Sequence, residues 1–164
     1  MEDYIAELRA KFNHPNPKKP QYSPRRHTPI NYGAKVQYAK EVPVRPPLND
    51  AGTLRIQQLI GAVRYYSRAV DNKLLVALSE LGQQQASPTE DTDIDMLQLL
   101  DYLATYSDDG ITYRATDMVL AGHADAAYLN VSKARSRAGA YIMLSKDVPV
   151  PAHNGPVLTI ANII

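Results

Sequence analysis

The stretch that decides the fold class is residues 118–144, MVLAGHADAAYLNVSKARSRAGAYIML. Two apolar segments, Met118–Ala124 and Gly139–Leu144, flank the polar run 130–137 (NVSKARSR). Short apolar segments separated by a polar turn are typical of two strands of an antiparallel hairpin. A third apolar segment, Val157–Ile163, follows after a proline-bearing turn. The sequence therefore predicts a three-stranded antiparallel meander.

One more short strand is predicted at Ile111–Arg114, ahead of the meander. A meander of this size has two exposed edges, and one of its apolar faces has nothing to cover it. We therefore interpret residues 111–164 as an unfinished domain.

The preceding region, residues 50–110, has helical periodicity and predicts three helices. The first carries an apolar stripe at 3.6-residue spacing, formed by Ile56, Leu59, Ile60, Val63, Tyr66 and Val70. The second follows Asp71, a candidate N-cap, and its apolar positions are Leu74, Leu75, Leu78 and Leu81. The third has Ile94, Leu97, Leu100 and Leu103 on its buried face.

The third helix has the strongest predicted start. Ser87 is the predicted N-cap, Pro88 falls in the first turn, and Glu90 stands three residues after the cap, which is a capping box. Losing the Ser87 hydroxyl is expected to cost about 1 kcal/mol. Gly110 is the predicted C-terminal stop.

The N-terminal residues divide into a helix and a linker. Asp3–Phe12 predicts a short helix that needs a surface to pack on. Residues 13–49 contain eight of the twelve prolines, together with several lysines and arginines. Because proline at this density prevents regular helix and interior strand, an extended, solvated linker is expected.

Charge is strongly segregated although the net charge is only +1. Residues 1–49 hold nine basic and four acidic side chains, whereas residues 87–109 hold seven acidic side chains and no lysine or arginine. The basic segment could contact nucleic acid, or the two segments could attract each other. The absence of cysteine excludes disulfides and thiolate metal sites and predicts an intracellular protein. Neither a membrane-spanning run nor a secretory signal is predicted.

Several segments in order resemble the Ty1/copia-type retrotransposon Pol polyprotein. Residues 59–66 (LIGAVRYY), with Ala69-Val70-Asp71 after them, are similar to the "IGSLxYL…RPDI" segment that closes the reverse transcriptase of these elements. Residues 120–128 (LAGHADAAY) are similar to "LxGYSDADWAG", the first strand of the family's ribonuclease H domain. The remaining similarities are residues 4–12 to "YIxxLLxRF", 87–89 to an N-P-T-like helix start, 100–113 to "YLKGT…GLxY", and 132–143 to "RKSTSGYVF".

The resemblance implies an α+β chain with four parts. Residues 1–12 would be the end of a thumb-like helix, and residues 13–49 a Pro-rich basic linker. Residues 50–110 would be a three-helix, connection-like unit. Residues 111–164 would be the first strands of a truncated, incomplete ribonuclease H-like domain, a three-stranded antiparallel meander.

The resemblance also assigns Asp125 as the first carboxylate of a nuclease site that holds Mg²⁺ in the complete domain. Alternation puts Val119, Ala121, His123 and Asp125 on one strand face. The family's second carboxylate, a glutamate on a helix after the third strand, has no counterpart here, and Asp117 and Asp147 are not convincing replacements. Since one carboxylate binds Mg²⁺ weakly, no tight metal binding and no nuclease activity are expected from this chain alone.

Other candidate residues have competing interpretations. Residues 106–109 (YSDD) match the Y-x-D-D pattern of a polymerase site, but they follow a predicted helix rather than a strand. His123 fits a metal or acid–base role less well than a plain surface position. The candidate nucleic-acid-binding residues are Lys133, Arg135 and Arg137 in the hairpin and Lys18, Lys19, Arg25 and Arg26 in the linker.

Two functions follow. The first is a fragment of a retrotransposon polyprotein, a transposable-element product from the reverse transcriptase and ribonuclease H region, which acts on RNA–DNA hybrids when complete and is inactive alone. Its partners would be the hybrid, bound weakly, and the remainder of the Pol polyprotein, in the cytoplasm or nucleus and without a membrane. The alternative is a non-catalytic nucleic-acid or protein-interaction module. A product without function is a third possibility.

Overall fold

The computed structural model describes residues 3–27, 45–131 and 135–164. Four helices precede a three-stranded sheet, so the predicted mixture of helix and antiparallel sheet is confirmed. The helices are α1 (Tyr4–Lys11), α2 (Asp50–Ala69), α3 (Leu75–Gln84) and α4 (Glu90–Thr105), and a 3-10 turn (Asn72–Leu74) leads into α3. The strands are β1 (Val119–Val131), β2 (Arg135–Ser145) and β3 (Pro156–Ile163). None of the helices within the described ranges is long and apolar enough to cross a membrane.

The helices share one hydrophobic core. The predicted stripe of α2 is buried at Ile56, Leu59, Ile60, Val63 and Tyr66. Helix α1 packs into the same cluster through Ile5, Leu8 and Phe12. The short N-terminal helix therefore has the packing surface that its length requires.

The start of α4 corrects one sequence prediction. The N-cap is Thr89 rather than Ser87, and the capping box is closed by Thr92, whose Oγ1 accepts a hydrogen bond from the Thr89 N–H at 3.0 Å. Ser87 is exposed and lies three residues before Glu90, the first residue of α4. Two backbone hydrogen bonds between residues 46–48 and the start of α4 fix this helix start. Leu48 N–H donates to the Pro88 carbonyl at 2.9 Å, and Glu90 N–H donates to the Pro46 carbonyl at 3.1 Å.

The predicted stop at Gly110 is also wrong. Helix α4 ends at Thr105, and Tyr106 is its C-cap with non-helical dihedrals. The chain then makes a turn in which Asp109 N–H donates to the Tyr106 carbonyl at 3.2 Å. Gly110 therefore lies five residues beyond the last helical residue.

The sheet is an antiparallel meander in the order β1-β2-β3, as predicted. The register places Asp125 opposite Gly139 and His123 opposite Tyr141. In the second pairing, Tyr141 lies opposite Thr159. The predicted strand at Ile111–Arg114 does not form: at Arg114 the N–H and the carbonyl are bonded to the Asn154 side chain instead of to a neighbouring strand.

The two faces of the sheet differ in burial. The face that carries Asp125 includes Met143, which is fully buried, and Arg137, which pairs with Glu80 of α3. The opposite face carries large apolar side chains that remain in contact with solvent, among them Leu120 (67% exposed) and Leu158 (49% exposed). The sheet thus has one uncovered apolar face.

Residues 13–27 lie against the helices rather than free in solvent. Gln21 N–H donates to Thr105 Oγ1 at 3.0 Å, and the Gln98 side chain donates to the Ser23 carbonyl at 3.0 Å. The described part of the linker therefore follows the surface of α4. The rest of the predicted linker between Thr28 and Val44 lies outside the described residues.

Candidate functional site

Asp125 lies in the middle of β1 on a solvent-exposed position. Its Oδ1 accepts a hydrogen bond from the N–H of Ala126 at 2.8 Å. The predicted alternation is confirmed by the register, since Val119, Ala121, His123 and Asp125 pair in order with Ser145, Met143, Tyr141 and Gly139. Asp125 therefore occupies the face assigned to it from the sequence.

The other two acids of the C-terminal region lie together at the far end of the sheet. Asp117 Oδ2 accepts a hydrogen bond from the Asp147 N–H at 3.0 Å. Asp117 precedes β1 and Asp147 follows β2, next to the first pair of the ladder, Val119 and Ser145. Asp125 lies six residues along β1 from Val119. At about 3.3 Å per residue that is about 20 Å, so neither carboxylate can share a metal ion with Asp125.

The residues around Asp125 do not fit a two-Mg²⁺ site. Such a site needs several carboxylates within reach of both ions, because Mg²⁺ is bound through oxygen ligands at about 2.1 Å. Across residues 3–27, 45–131 and 135–164, no three histidine, aspartate or glutamate side chains are arranged to hold a metal ion. Within the described part of the chain, Asp125 is thus an exposed carboxylate that belongs to no group of three potential metal ligands.

His123 belongs to a small ring cluster on the same face. Its ring centroid lies 5.9 Å from that of His153, and His153 stacks on Tyr141 at 4.8 Å with the planes 8° apart. Tyr141 in turn donates its hydroxyl proton to the Asn154 carbonyl. Desolvation by burial raises the pKa of the Tyr141 hydroxyl. The cluster packs the 153–154 turn against the sheet, and His123 itself is exposed.

The linker arginines are engaged by acidic side chains of the same chain. Arg25 Nη1 lies 3.0 Å from Glu80 Oε1 on α3. Arg26 pairs with Asp95 and Asp91 on α4. The hydrogen bond to Asp95 is the main reason that the pKa of Arg26 is raised. Of the two interpretations of the segregated charge, mutual attraction accounts for these two arginines.

The hairpin arginines also face the helices. Arg137 pairs with Glu80, the same carboxylate that Arg25 contacts, and Arg135 donates to the Gln83 side chain at the end of α3. Lys133 lies outside the described residues. Lys18 and Lys19 are exposed on the linker. The structure therefore separates the candidate basic residues into helix-paired arginines and an exposed lysine pair.

The Tyr-x-Asp-Asp segment lies where α4 ends. Asp109 pairs with Lys73, and its carbonyl accepts the Tyr66 hydroxyl at 3.3 Å. Nearby Asp71 is buried and caps the 3-10 turn by accepting from the Lys73 N–H at 3.1 Å, as predicted for a cap. Burial raises the pKa of Asp71, and it also raises the pKa of Tyr66. Although burial lowers the pKa of Lys73, its hydrogen bond to Asp109 and the charge of Asp71 leave it raised overall.

Sequence reasoning missed the side chain that organises the end of the sheet. Asn154 is 8% exposed, and its side chain takes part in four hydrogen bonds. Its Oδ1 accepts from the N–H groups of Arg114 and Gly155, and its Nδ2 donates to the carbonyls of Arg114 and Leu144. The available signal was the Asn-Gly pair at 154–155, which favours a turn but does not identify the groups that the amide will bind.

A cleft of about 330 Å³ separates β3 from the helices. Arg64 and Arg68 of α2 and Ser79 of α3 line one side, and residues 156–162 line the other.

Comparisons of the chain with protein-family models, with curated proteins and with solved structures find no match.

Proposed function

We propose that this chain is part of a Ty1/copia-type retrotransposon polyprotein and spans the end of a reverse transcriptase and the first three strands of a ribonuclease H-like domain. The observation that carries the proposal is the order of elements: a helical unit, then an antiparallel meander whose first strand bears Asp125 at its centre. The motif resemblances fall on these elements in the same order. In the complete protein this region would act on RNA–DNA hybrids, with Asp125 as one of several Mg²⁺ ligands.

The chain by itself is proposed to be inactive as a nuclease. Two metal ions must be held together for one to activate water while the other stabilises the leaving oxygen. Asp125 is exposed, and the acids at Asp117 and Asp147 lie about 20 Å along the strand from it. A lone carboxylate leaves Mg²⁺ with most of its water shell and so does not position it for catalysis.

The test is a cleavage assay on a labelled RNA–DNA hybrid in Mg²⁺, with the purified chain, Asp125→Asn, and the matched control Asp147→Asn. We expect all three proteins to leave the hybrid intact over the time in which a complete ribonuclease H digests it. Cleavage by the wild-type chain that is lost only in Asp125→Asn would refute inactivity and would make Asp125 a working metal ligand.

A second candidate is a non-catalytic interaction module. It is favoured by the apolar face of the sheet, where Leu120, Leu158 and Ile160 are 67%, 49% and 39% exposed. Apolar side chains grouped in this way mark protein-interaction surfaces in soluble proteins. Protein rather than nucleic acid is the better partner for this module, because Arg25, Arg26 and Arg137 are already paired with carboxylates.

Binding of an RNA–DNA hybrid at low salt and at physiological salt distinguishes the inactive polyprotein fragment and the protein-interaction module from a nucleic-acid-binding module. Because Lys18 and Lys19 are exposed, we expect weak binding at low salt that disappears at physiological salt. Lys18→Ala/Lys19→Ala should remove most of it, whereas Arg26→Ala should change it little. Tight binding that persists at physiological salt would instead favour the nucleic-acid module.

A further inference from the structure

The free edge of β1 has the properties of an interface. β1 is 13 residues long; its pairing with β2 is regular from Val119 to Ala127, and the register shifts between Ala127 and Val131. The regular stretch contains no lysine, arginine or proline. Natural edge strands are protected by such residues or by shortness, because an open edge pairs readily with another strand. Within the described ranges, β2 is the only strand that pairs with β1. The helical unit approaches the sheet at β3, the opposite edge, through α3.

The chemistry of β1 is symmetric about Ala124. His123 and Asp125 flank it, two small residues follow on each side, and Leu120 and Tyr128 stand at equal distances beyond them. All these positions except Ala121 and Ala127 are exposed, with Leu120 at 67% and Tyr128 at 81%. A strand of this kind is complementary to itself when it pairs antiparallel about a twofold axis.

We propose that the chain forms a twofold dimer in which the β1 edges of two copies pair antiparallel, with Ala124 opposite Ala124. This register places His123 of each copy opposite Asp125 of the other, so that two complementary polar pairs flank the axis. It also places Leu120 opposite Tyr128, the first residue after the regularly paired stretch, on both sides of the axis. Aromatic–aliphatic cross-strand pairs stabilise a sheet, and the imidazole N–H of His123 can donate a hydrogen bond to the Asp125 carboxylate opposite it.

The hydrogen-bonding groups of β1 suit this register. The N–H of Ala126 donates to the side chain of Asp125, and the N–H of Leu129 donates toward β2 at the Ser136 hydroxyl. Because the N–H groups of alternate residues point to the same side of a strand, even-numbered residues of β1 present theirs at the free edge. Ala124 opposite Ala124 is then a hydrogen-bonded pair with its Cα atoms about 5.5 Å apart.

The dimer buries the edge and joins the two sheets into one of six strands. A twofold axis perpendicular to the sheet keeps each uncovered apolar face on the same side. The helices of both copies lie near the two β3 edges, away from the axis. The proposal goes beyond the function proposed above and does not depend on it.

Single-cysteine variants test the register directly, since the chain contains no cysteine. In Ala124→Cys the two thiols lie opposite each other, within the Cα separation of about 4.4–6.8 Å that a disulfide spans. The matched control is Ala126→Cys, also exposed, whose two copies would be offset by four residues, about 13 Å along the strands. We expect rapid disulfide-linked dimer in Ala124→Cys and little in Ala126→Cys. Equal crosslinking of both variants, or none of Ala124→Cys, would overturn the proposal.

Charge reversal supplies an independent test by sedimentation velocity across a concentration series. His123→Asp places two aspartates opposite each other at both pairs and should weaken the dimer about tenfold. The exchanged variant, His123→Asp with Asp125→His, restores opposite partners and should recover wild-type association. Wild-type protein that stays monomeric throughout, or an exchanged variant as weak as His123→Asp, would contradict the proposed pairing. Far-ultraviolet circular dichroism checks that each variant is folded.

Discussion

Replacing Asn154 with alanine is the substitution that the structure predicts to loosen the sheet most specifically. The amide bridges three elements: the segment before β1 through Arg114, the end of β2 through Leu144, and its own turn through Gly155. No other described side chain makes hydrogen bonds to all of these. Asn154→Ala therefore removes the hydrogen bonds that hold the Arg114 backbone against the end of the sheet.

The magnitude follows from the four hydrogen bonds that the substitution removes, with lengths of 2.7, 2.9, 2.9 and 3.1 Å. Each such bond contributes about 1 kcal/mol net, and unpaired buried partners add to the loss. Arg114 is exposed, so water can replace part of its pairing. We therefore expect the free energy of unfolding to fall by about 2–4 kcal/mol.

Urea unfolding and amide hydrogen exchange measure the two consequences separately. Unfolding should occur at lower urea in Asn154→Ala, and the Arg114 amide should lose its protection. The matched control is Asn162→Ala on β3, an exposed asparagine, which should change neither. If Asn154→Ala unfolds within about 0.5 kcal/mol of wild type and keeps the Arg114 amide protected, the reasoning is refuted.

Three further predictions concern the helical unit. Leu100→Ala, at a fully buried position, should cost about 2–5 kcal/mol in urea unfolding, whereas Leu54→Ala, 54% exposed, should cost well under 1 kcal/mol. Thr92→Val removes the capping-box acceptor and should cost about 1–2 kcal/mol, and Ser87→Ala should cost less than about 0.5 kcal/mol; a larger loss from Ser87→Ala would return the cap to Ser87. Because burial raises the pKa of Asp71, the stability that this group contributes is present below its unfolded pKa of about 4 and is lost as pH rises through its folded pKa. The side chain of Asp71→Asn can still accept the Lys73 N–H, so this variant should be more stable than wild type above the folded pKa of Asp71 and equally stable below about pH 4. A lower free energy of unfolding than wild type at neutral pH would contradict this reasoning.

The sequence predicted best those elements whose burial follows a regular period. The α2 stripe, from Ile56 to Tyr66, is buried as its 3.6-residue spacing required. The three strands of the meander form in the predicted order, and the face of Asp125 follows from alternation along β1. Local chemistry was sufficient in these cases, since neighbours in the sequence determine which side chains share a face.

One wrong prediction concerns the face of α4, where Met96 and Leu99 are buried while Ile94 and Leu97 are only half-buried. The others concern ends and connections, which non-local contacts decide. Ser87 and Thr89 both offer an N-cap hydroxyl, and the backbone bonds from residues 45–48 select Thr89. The Ile111–Arg114 segment has strand-like composition, but at Arg114 both the N–H and the carbonyl are hydrogen-bonded to the Asn154 amide. Neither partner is visible to a reading of neighbouring residues.

The candidate site shows the same division. The position of Asp125 could be predicted, because it depends on strand alternation alone. The pairing of Arg25 and Arg137 with one glutamate, Glu80, could not, because it requires the linker, α3 and β2 to meet. The segregated charge was compatible with nucleic-acid contact and with attraction between the two segments. Only the packing of the linker, α3 and β2 distinguishes the two interpretations.

The most direct test of the proposed origin is to complete the domain. The chain would be fused after Ile164 to the remaining part of a Ty1/copia ribonuclease H domain, which supplies the glutamate-bearing helix and later aspartates. We expect the folded chimera to cleave an RNA–DNA hybrid in Mg²⁺, with activity lost in Asp125→Asn and kept in Asp147→Asn. A folded chimera without cleavage, or one whose cleavage survives Asp125→Asn, would contradict the assignment of this sheet as the start of a ribonuclease H-like domain.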